Sequence, residues 1–114
     1  GMKNDSENLV QYGVYWTDLD PTQGAEMNKT RPCVVVSPPE MNMHLLTVLV
    51  APVTSRQRES YPTRVHFSIG DVSGWIVLDQ LRAIDRKRLR RKIGCLDGET
   101  ALLVKNVIRE MLVD

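Results

Sequence analysis

Short apolar runs, rich in residues that favour strands, recur along this chain at close intervals. Seven such runs occupy residues 14–19, 33–37, 45–51, 64–67, 74–78, 81–84 and 92–96. Turn signals separate several of them, at Pro38-Pro39, Pro62 and Gly70-Asp71. Many short strands, few helices and no regular strand–helix alternation predict a mainly β domain, a small barrel or a sandwich.

Two of these runs, residues 34–36 and 48–51, are continuously apolar instead of alternating with polar residues. A strand of this kind is covered on both faces. We therefore expect the barrel interior on one side of each strand, and a helix or a partner subunit on the other side.

The C-terminal segment has the clearest helical pattern. Asp97 is a predicted N-cap, and Glu99 lies in the first turn, where a carboxylate favours the helix dipole. The apolar residues form two adjacent rows at helical spacing: Leu103, Val107 and Met111, and Val104, Ile108 and Leu112. We expect this helix to pack on its own barrel. A short basic helix is also predicted at residues 85–91, with Asp85 as its cap.

The length of 114 residues suits one domain with its own core, which we expect over residues 11–114. Gly1 before Met2 resembles a cloning remnant, and residues 1–10 are predicted to be flexible. The sequence has no signal-peptide pattern and no apolar stretch of membrane-spanning length. We expect a cytoplasmic protein that makes no contact with membranes.

Cys33 and Cys95 are far apart and have apolar neighbours, which predicts two buried, reduced thiols instead of a disulfide or a metal pair. His44 and His66 are also isolated, and no cluster of ligand-type residues has metal-site spacing. The sequence therefore predicts a protein that uses no metal and no other cofactor.

The charges are nearly balanced, with 15 Lys and Arg against 14 Asp and Glu, but the basic residues are unevenly placed. They concentrate in residues 82–92, the basic segment, and a second group comprises Arg56, Arg58 and Arg64. A basic run can be a solvated face that only keeps a protein soluble. Two basic groups beside one candidate site favour a polyanionic partner instead.

A long polar loop joins the first two strand-like runs and carries one carboxylate, Glu26, and one guanidinium, Arg31, in its second half. Ordering such a loop costs conformational entropy with little burial in return. A functional loop on a rigid β scaffold is the usual reason for one.

At three places the sequence resembles the MazF/PemK-type toxins, the endoribonuclease components of bacterial toxin–antitoxin pairs. The matching residues are Gly13-Val14-Tyr15-Trp16 with Asp20-Pro21-Thr22-Gln23-Gly24-Ala25-Glu26 and Thr30-Arg31-Pro32, then Ala51-Pro52-Val53-Thr54-Ser55, then Leu78-Asp79-Gln80-Leu81-Arg82-Ala83-Ile84-Asp85. The resemblance implies a small SH3-like β-barrel with a C-terminal helix, a homodimer, and sequence-specific, metal-independent cleavage of single-stranded RNA. It also implies an acidic antitoxin peptide as partner, and DNA binding only by the toxin–antitoxin complex.

The resemblance places the cleavage residues at Arg31 and Thr54, and an acidic residue that shapes the site at Glu26. Without a metal, the 2′-hydroxyl attacks the adjacent phosphorus, and negative charge grows on the non-bridging oxygens. The forked guanidinium of Arg31 suits that charge, and Thr54 can donate a further hydrogen bond. Glu26 is the nearest candidate for the base, with Arg31 as the alternative. Further RNA contacts are expected from Thr22, Gln23, Lys29, Ser55, Arg56, Arg58, Asp79, Gln80 and Arg82.

Structural roles stay open for the same residues. Arg31 could form a surface ion pair with Glu26, Thr54 could satisfy backbone groups at a strand end, and Asp79-Gln80 could anchor a turn.

The sequence also departs from some PemK-type members, which have a His where this chain has Ala25 and an Arg where it has Val77. A His/Arg/Asp acid–base set is therefore missing. These differences favour the MazF branch and a structural role for Asp79.

Two other functions are compatible with the same fold. Toxins of this barrel that trap DNA gyrase cleave no nucleic acid, and an inactive relative would only regulate transcription together with its partner. A gyrase-binding toxin does not need Arg31 and Thr54 beside basic loops, so this pair favours the ribonuclease.

Overall fold

Seven β-strands form the body of the protein in the computed structural model, which describes residues 9–19, 30–56 and 62–113. The strands are β1 (Gly13–Asp18), β2 (Thr30–Val35), β3 (Thr47–Thr54), β4 (Arg64–Ile69), β5 (Val72–Val77), β6 (Arg82–Asp85) and β7 (Leu89–Cys95). The helices are α1 (Pro39–His44), α2 (Gly98–Leu112) and two 3₁₀ turns, Leu78–Gln80 and Arg86–Arg88. Each predicted strand is confirmed, with ends that differ by a few residues at most.

The strands form one curled antiparallel sheet in the order β4-β5-β3-β2-β1-β7, and β6 pairs with β3 as well. The long strand β3 pairs with β6 through its first half and with β5 through Val53 and Thr54. The two outer strands of the order approach each other where Ile69 of β4 packs over Gly94 of β7: a Cβ at Gly94 would lie 3.0 Å from the Cγ2 atom of Ile69. The sheet is therefore a small, partly open barrel, and the predicted fold class is confirmed.

Apolar residues on the two faces of the sheet form two separate clusters. Val34 and Ala51 belong to the larger one, which also includes Val104 of α2. Their sequence neighbours Val35 and Val50 belong to the smaller one on the opposite face. Alternate residues of a strand point to opposite faces, so burial on both faces explains the continuously apolar runs, as the sequence predicted.

Helix α2 begins at the predicted cap, where the Asp97 carboxylate accepts a hydrogen bond of 2.7 Å from the Thr100 N–H. That bond is the main reason why the pKa of Asp97 is lowered. The two predicted apolar rows are only partly correct, because Leu103 and Leu112 are 52% and 67% exposed. The stripe that packs on the barrel consists of Ala101, Val104, Val107, Ile108 and Met111.

Helix α1 is not among the predicted elements, because Pro38-Pro39 is also typical of a turn. Proline is also favoured in the first turn of a helix, and Pro39 is the first residue of α1. The buried Asn42 fixes the helix to the barrel, since its side chain accepts from the Ser37 hydroxyl at 2.6 Å and donates to the Ser37 carbonyl at 2.9 Å.

The predicted basic helix at residues 85–91 is shorter than expected. Asp85 does act as a cap, accepting from the Lys87 N–H at 2.9 Å. Only Arg86–Arg88 form a 3₁₀ turn, and the following residues belong to β7.

The prediction for the cysteines was right for Cys33, which is buried, and wrong for Cys95, which is exposed at the end of β7. None of the helices in the described ranges is long and apolar enough to cross a membrane.

Candidate functional site

Arg31 and Thr54 lie at adjacent ends of β2 and β3. These strands pair antiparallel, with Cys33 opposite Pro52. When this register is continued by two residues, Arg31 comes opposite Thr54. Alternate residues of a strand share a face of the sheet, so Arg31 lies on the face of Cys33, and Thr54 lies on the face of Pro52. The continued register therefore aligns the two expected cleavage residues on one face, two residues beyond the last paired residues.

The ladder between β2 and β3 ends at two prolines. Pro52 is the last residue of β3 paired with β2, and Pro32 is the next residue of β2 beyond that pair. Proline has no N–H to donate to a ladder, so the strands have no hydrogen bonds to hold them close beyond this point. Arg31 is exposed and Thr54 is partly exposed where the ladder ends.

The hydroxyl of Thr54 is held by its own chain. Its Oγ1 atom accepts a hydrogen bond of 3.2 Å from the Arg56 N–H, two residues on. Such a local bond fixes the hydroxyl oxygen. Within the described ranges no acceptor takes the hydroxyl proton, which leaves it able to donate to a ligand.

Two guanidinium groups lie near the buried thiol of Cys33. Burial raises the pKa of Cys33 to about 11, and it outweighs a hydrogen bond with the Thr17 side chain and the charges of Arg82 and Arg31, all of which lower that pKa. Arg31 lies two residues before Cys33 in β2, so the two residues share a face of the sheet. Arg82 lies in β6, opposite Val50 of β3, so Arg82 and Arg31 place two positive charges on the same region of the sheet.

In the part of the chain that the structure describes, the Arg31 guanidinium has no hydrogen-bond or ion-pair partner. Glu26, with which Arg31 could form a surface ion pair, lies outside the described residues. Thr22, Gln23, Lys29 and Arg58 lie outside them as well. Their expected roles stay predictions.

The remaining expected RNA contacts lie around this face. Ser55 and Arg56 follow Thr54 directly and are exposed. Asp79 and Gln80 lie in the 3₁₀ turn after β5 and are exposed as well. The Asp79 carboxylate accepts a hydrogen bond of 2.8 Å from the Thr63 hydroxyl, which fits the structural role favoured for Asp79.

Three arginines of the basic segment bind their own chain. Arg86 donates to the carbonyls of Leu45 and Asn42 at 2.6 and 2.5 Å, at the end of α1. Arg88 donates to the Leu19 carbonyl at 3.1 Å.

Arg90 donates to the Asp18 carboxylate through two nitrogens, at 3.2 and 2.5 Å. Arg88 and Arg90 thus fix residues 18 and 19, which enter the long loop. The basic segment is therefore partly structural, and its exposed cations include Arg82, Lys87, Arg91 and Lys92.

Two aromatic side chains that the sequence does not mark as site residues continue the cross-strand row from Thr54. Trp75 of β5 is directly opposite Thr54, and His66 of β4 is directly opposite Trp75. The rings of His66 and Trp75 meet at a tilted angle of 63°, with centroids 4.9 Å apart. Thr54, Trp75 and His66 lie on three different strands, so only the pairing of these strands shows that they form one row. No sequence motif indicates it. Among the described residues, no three of His, Cys, Asp and Glu are grouped so that they could hold a metal ion.

The family model for PemK-like, MazF-like toxins of type II toxin–antitoxin systems matches residues 10–112. The chain belongs to this family. The match includes β1 to β7 and α2, and with them Arg31, Thr54 and Trp75.

Solved structures of related proteins share the fold of this PemK/MazF-family toxin. MazF from Deinococcus radiodurans is 26% identical, with a TM-score of 0.74 over 91% of this chain and 96% of that one. An endoribonuclease from Mycobacterial species is 21% identical, with a TM-score of 0.75 over 91% of this chain and 90% of that one. An endoribonuclease from Mycobacterial species in complex with its cognate antitoxin is also 21% identical, with a TM-score of 0.77 over 91% and 94% of the two chains.

Proposed function

We propose that this toxin is a metal-independent endoribonuclease that cleaves single-stranded RNA in a sequence-specific manner and is neutralised by an acidic antitoxin peptide. The observation that carries the proposal is the β2–β3 register, which, when it is continued by two residues, aligns Arg31 with Thr54 on the face of the sheet that also carries Arg82. The family and the relatives named endoribonucleases support the same activity.

The reaction we propose is an internal transfer. The 2′-oxygen forms a bond to the adjacent phosphorus and loses its proton to a base, while the bond from phosphorus to the 5′-oxygen breaks. The 5′-oxygen takes up a proton, so the products carry a 2′,3′-cyclic phosphate and a 5′-hydroxyl. Glu26 is our candidate for the base, and Arg31 is the alternative.

Arg31 and Thr54 would act on the charge that develops during this transfer. The guanidinium can donate two hydrogen bonds at once to non-bridging phosphate oxygens. The Thr54 hydroxyl, whose oxygen is held by the Arg56 N–H, can donate a third. Donors fixed in advance and aimed at developing charge give the largest rate effects in such sites.

Substrate binding and inhibition would use the same face. Arg82 and the exposed Arg56 would contact phosphates, which supply affinity and position but no sequence selectivity. Base selection would come from residues around 55–58 and from the loop that contains Thr22, Gln23 and Lys29. An acidic antitoxin segment would compete for the same cations, as charge complementarity favours. An endoribonuclease from Mycobacterial species is a relative solved in complex with its cognate antitoxin.

The test is to incubate the purified protein with a long single-stranded RNA in excess EDTA and to map the product ends. We expect cleavage with 5′-hydroxyl ends. Arg31→Ala and Thr54→Ala should each lose on the order of a hundredfold to a thousandfold in rate, and Arg31→Lys should recover little because Lys has no fork.

Arg109→Ala, which removes an exposed charge from the last turn of α2, is the matched control and should cleave like the parent. Cleavage that requires magnesium would contradict the mechanism. Parent-like rates in both site variants would place the site elsewhere.

A further inference from the structure

Trp75 is a large aromatic residue that the packing of the barrel does not explain. It belongs to neither of the two apolar clusters, although its neighbours along β5, Gly74 and Ile76, are both buried. The residue is partly exposed, and its cross-strand neighbours are the polar residues Thr54 and His66. A partly exposed indole in a polar row is typical of a contact surface.

The position of Trp75 relative to Thr54 is fixed by the sheet. The two residues are a directly opposite pair, so their side chains leave the same face from Cβ atoms about 4.5–5.5 Å apart. By continuing the β2–β3 register, the row across the sheet reads His66, Trp75, Thr54 and Arg31. An aromatic ring therefore lies one strand away from the hydroxyl that we expect to contact the scissile phosphate.

His66 limits how the indole can lie. The two rings meet at 63° with centroids 4.9 Å apart, which is an edge-to-face contact. In such a contact the imidazole can cover at most one face of the indole. It therefore restrains the ring without covering both of its faces.

We propose that Trp75 is a stacking platform for a base next to the scissile phosphate, and that His66 positions its ring. This inference rests on the proposed RNA-cleaving function and deepens it, because it assigns a base-binding residue to the same site. Unpaired bases of single-stranded RNA stack on aromatic side chains, and each such stack contributes strongly to affinity while tolerating any base.

The first experiment measures binding of a mixed-sequence single-stranded RNA with 2′-O-methyl groups, which lack the attacking hydroxyl and cannot be cleaved. Trp75→Leu keeps an apolar side chain but loses the ring, and it should raise Kd by on the order of five- to a hundredfold. Trp75→Phe keeps a ring and should retain most of the affinity.

Trp16→Leu is the matched control, because Trp16 is the second tryptophan, lies in β1 opposite Pro32, and belongs to neither apolar cluster. Its Kd should equal that of the parent. Thermal unfolding of all three variants shows that each is folded before binding is compared.

A second readout follows the indole directly. Trp16→Phe leaves Trp75 as the only tryptophan, and its emission should be quenched as the 2′-O-methyl RNA binds. In the mirror variant, Trp75→Phe, the remaining Trp16 emission should stay unchanged. With cleavable RNA, Trp75→Leu should raise KM more than it lowers kcat, which a purely structural defect would not do selectively.

The outcomes separate this inference from the function on which it rests. If the parent binds the RNA and Trp75→Leu binds it equally well, or if Trp75→Leu and Trp75→Phe are equally impaired, the stacking role is wrong and the ribonuclease proposal stands. If the parent binds no RNA and cleaves none, the proposed function fails and the stacking role fails with it. If Trp75→Leu binds the RNA more weakly than the parent and Trp75→Phe keeps most of the affinity, Trp75 is the stacking platform.

Discussion

The two cysteines illustrate how much a single position in a strand decides. Cys33 lies directly before the continuously apolar run of β2 and is fully buried, so burial raises its pKa from 9.0 to about 11. Cys95 ends β7, pairs with Gly13 at the border of the sheet, and is exposed. The sequence predicted the first correctly because its apolar neighbours on both sides require burial. It failed for the second because strand ends are the least predictable part of a strand.

This difference predicts selective alkylation. The thiolate is the reactive form, so at pH 8 iodoacetamide should label Cys95 in the folded protein and spare Cys33, which is both inaccessible and protonated. Mass spectrometry of the native protein should show one modified thiol, and unfolding in denaturant should expose the second. Cys95→Ser is the control and should take up no label while folded. Rapid labelling of folded Cys95→Ser would show that Cys33 is accessible.

At the level of strands, the close contact of β5 with β3 aligns Trp75 with Thr54. A Cβ at Gly74 would stand 2.6 Å from the Cγ1 atom of Val53 and 2.9 Å from the carbonyl oxygen of Thr54. Real Cβ atoms do not approach other atoms so closely, and one of the two contacts is with backbone that cannot turn away. The absence of a side chain at Gly74 therefore lets the two strands pair at the site.

We predict that Gly74→Ala forces β5 away from β3. Overpacking of this kind typically costs about 1–3 kcal/mol, which denaturant unfolding would measure. Because the displaced atoms include the backbone of Thr54, RNA cleavage should fall further than the loss of folded protein explains. Gly98→Ala is the matched control, since a Cβ there meets no atom within 4 Å at the start of α2. If Gly74→Ala is as stable and as active as Gly98→Ala, the close contact between β5 and β3 does not depend on the missing side chain at Gly74.

The strands and α2 could be predicted because their signals are local: apolar runs, turn residues and the Asp97 cap. The partners of each strand could not, because register depends on contacts between residues distant in sequence. Trp75 and His66 were missed for this reason. The buried stripe of α2 was partly wrong because the tilt of the helix on the barrel decides whether Leu103 is covered. Arg31 and Thr54 are indicated by resemblance alone, and only the β2–β3 register, continued beyond its last pair, aligns the two residues.

At the scale of the whole molecule, most of the exposed large apolar side chains among the described residues belong to two segments. One surrounds the end of α1, where Met43, Leu45 and Leu46 are 70%, 45% and 77% exposed. The other is on α2 and includes Leu103 and Leu112. Clusters of exposed apolar side chains indicate interaction surfaces, whereas single exposed apolar side chains are common on any protein. They are compatible with the homodimer that the resemblance implies.

The last prediction is that the toxin forms a two-fold homodimer that binds RNA and antitoxin competitively. Closed two-fold symmetry uses the same patch on both subunits, and it would bring together two copies of the exposed cations of the basic segment, strengthening attraction to a polyanion. Light scattering at micromolar concentration should therefore give about twice the monomer mass of 13.0 kDa. An acidic antitoxin peptide, ordering as it binds, should displace labelled 2′-O-methyl RNA and block cleavage, and higher salt should weaken RNA binding. A stable monomer that cleaves RNA at the full rate would defeat the dimer but leave the roles of Arg31 and Thr54 intact, because both residues belong to one chain.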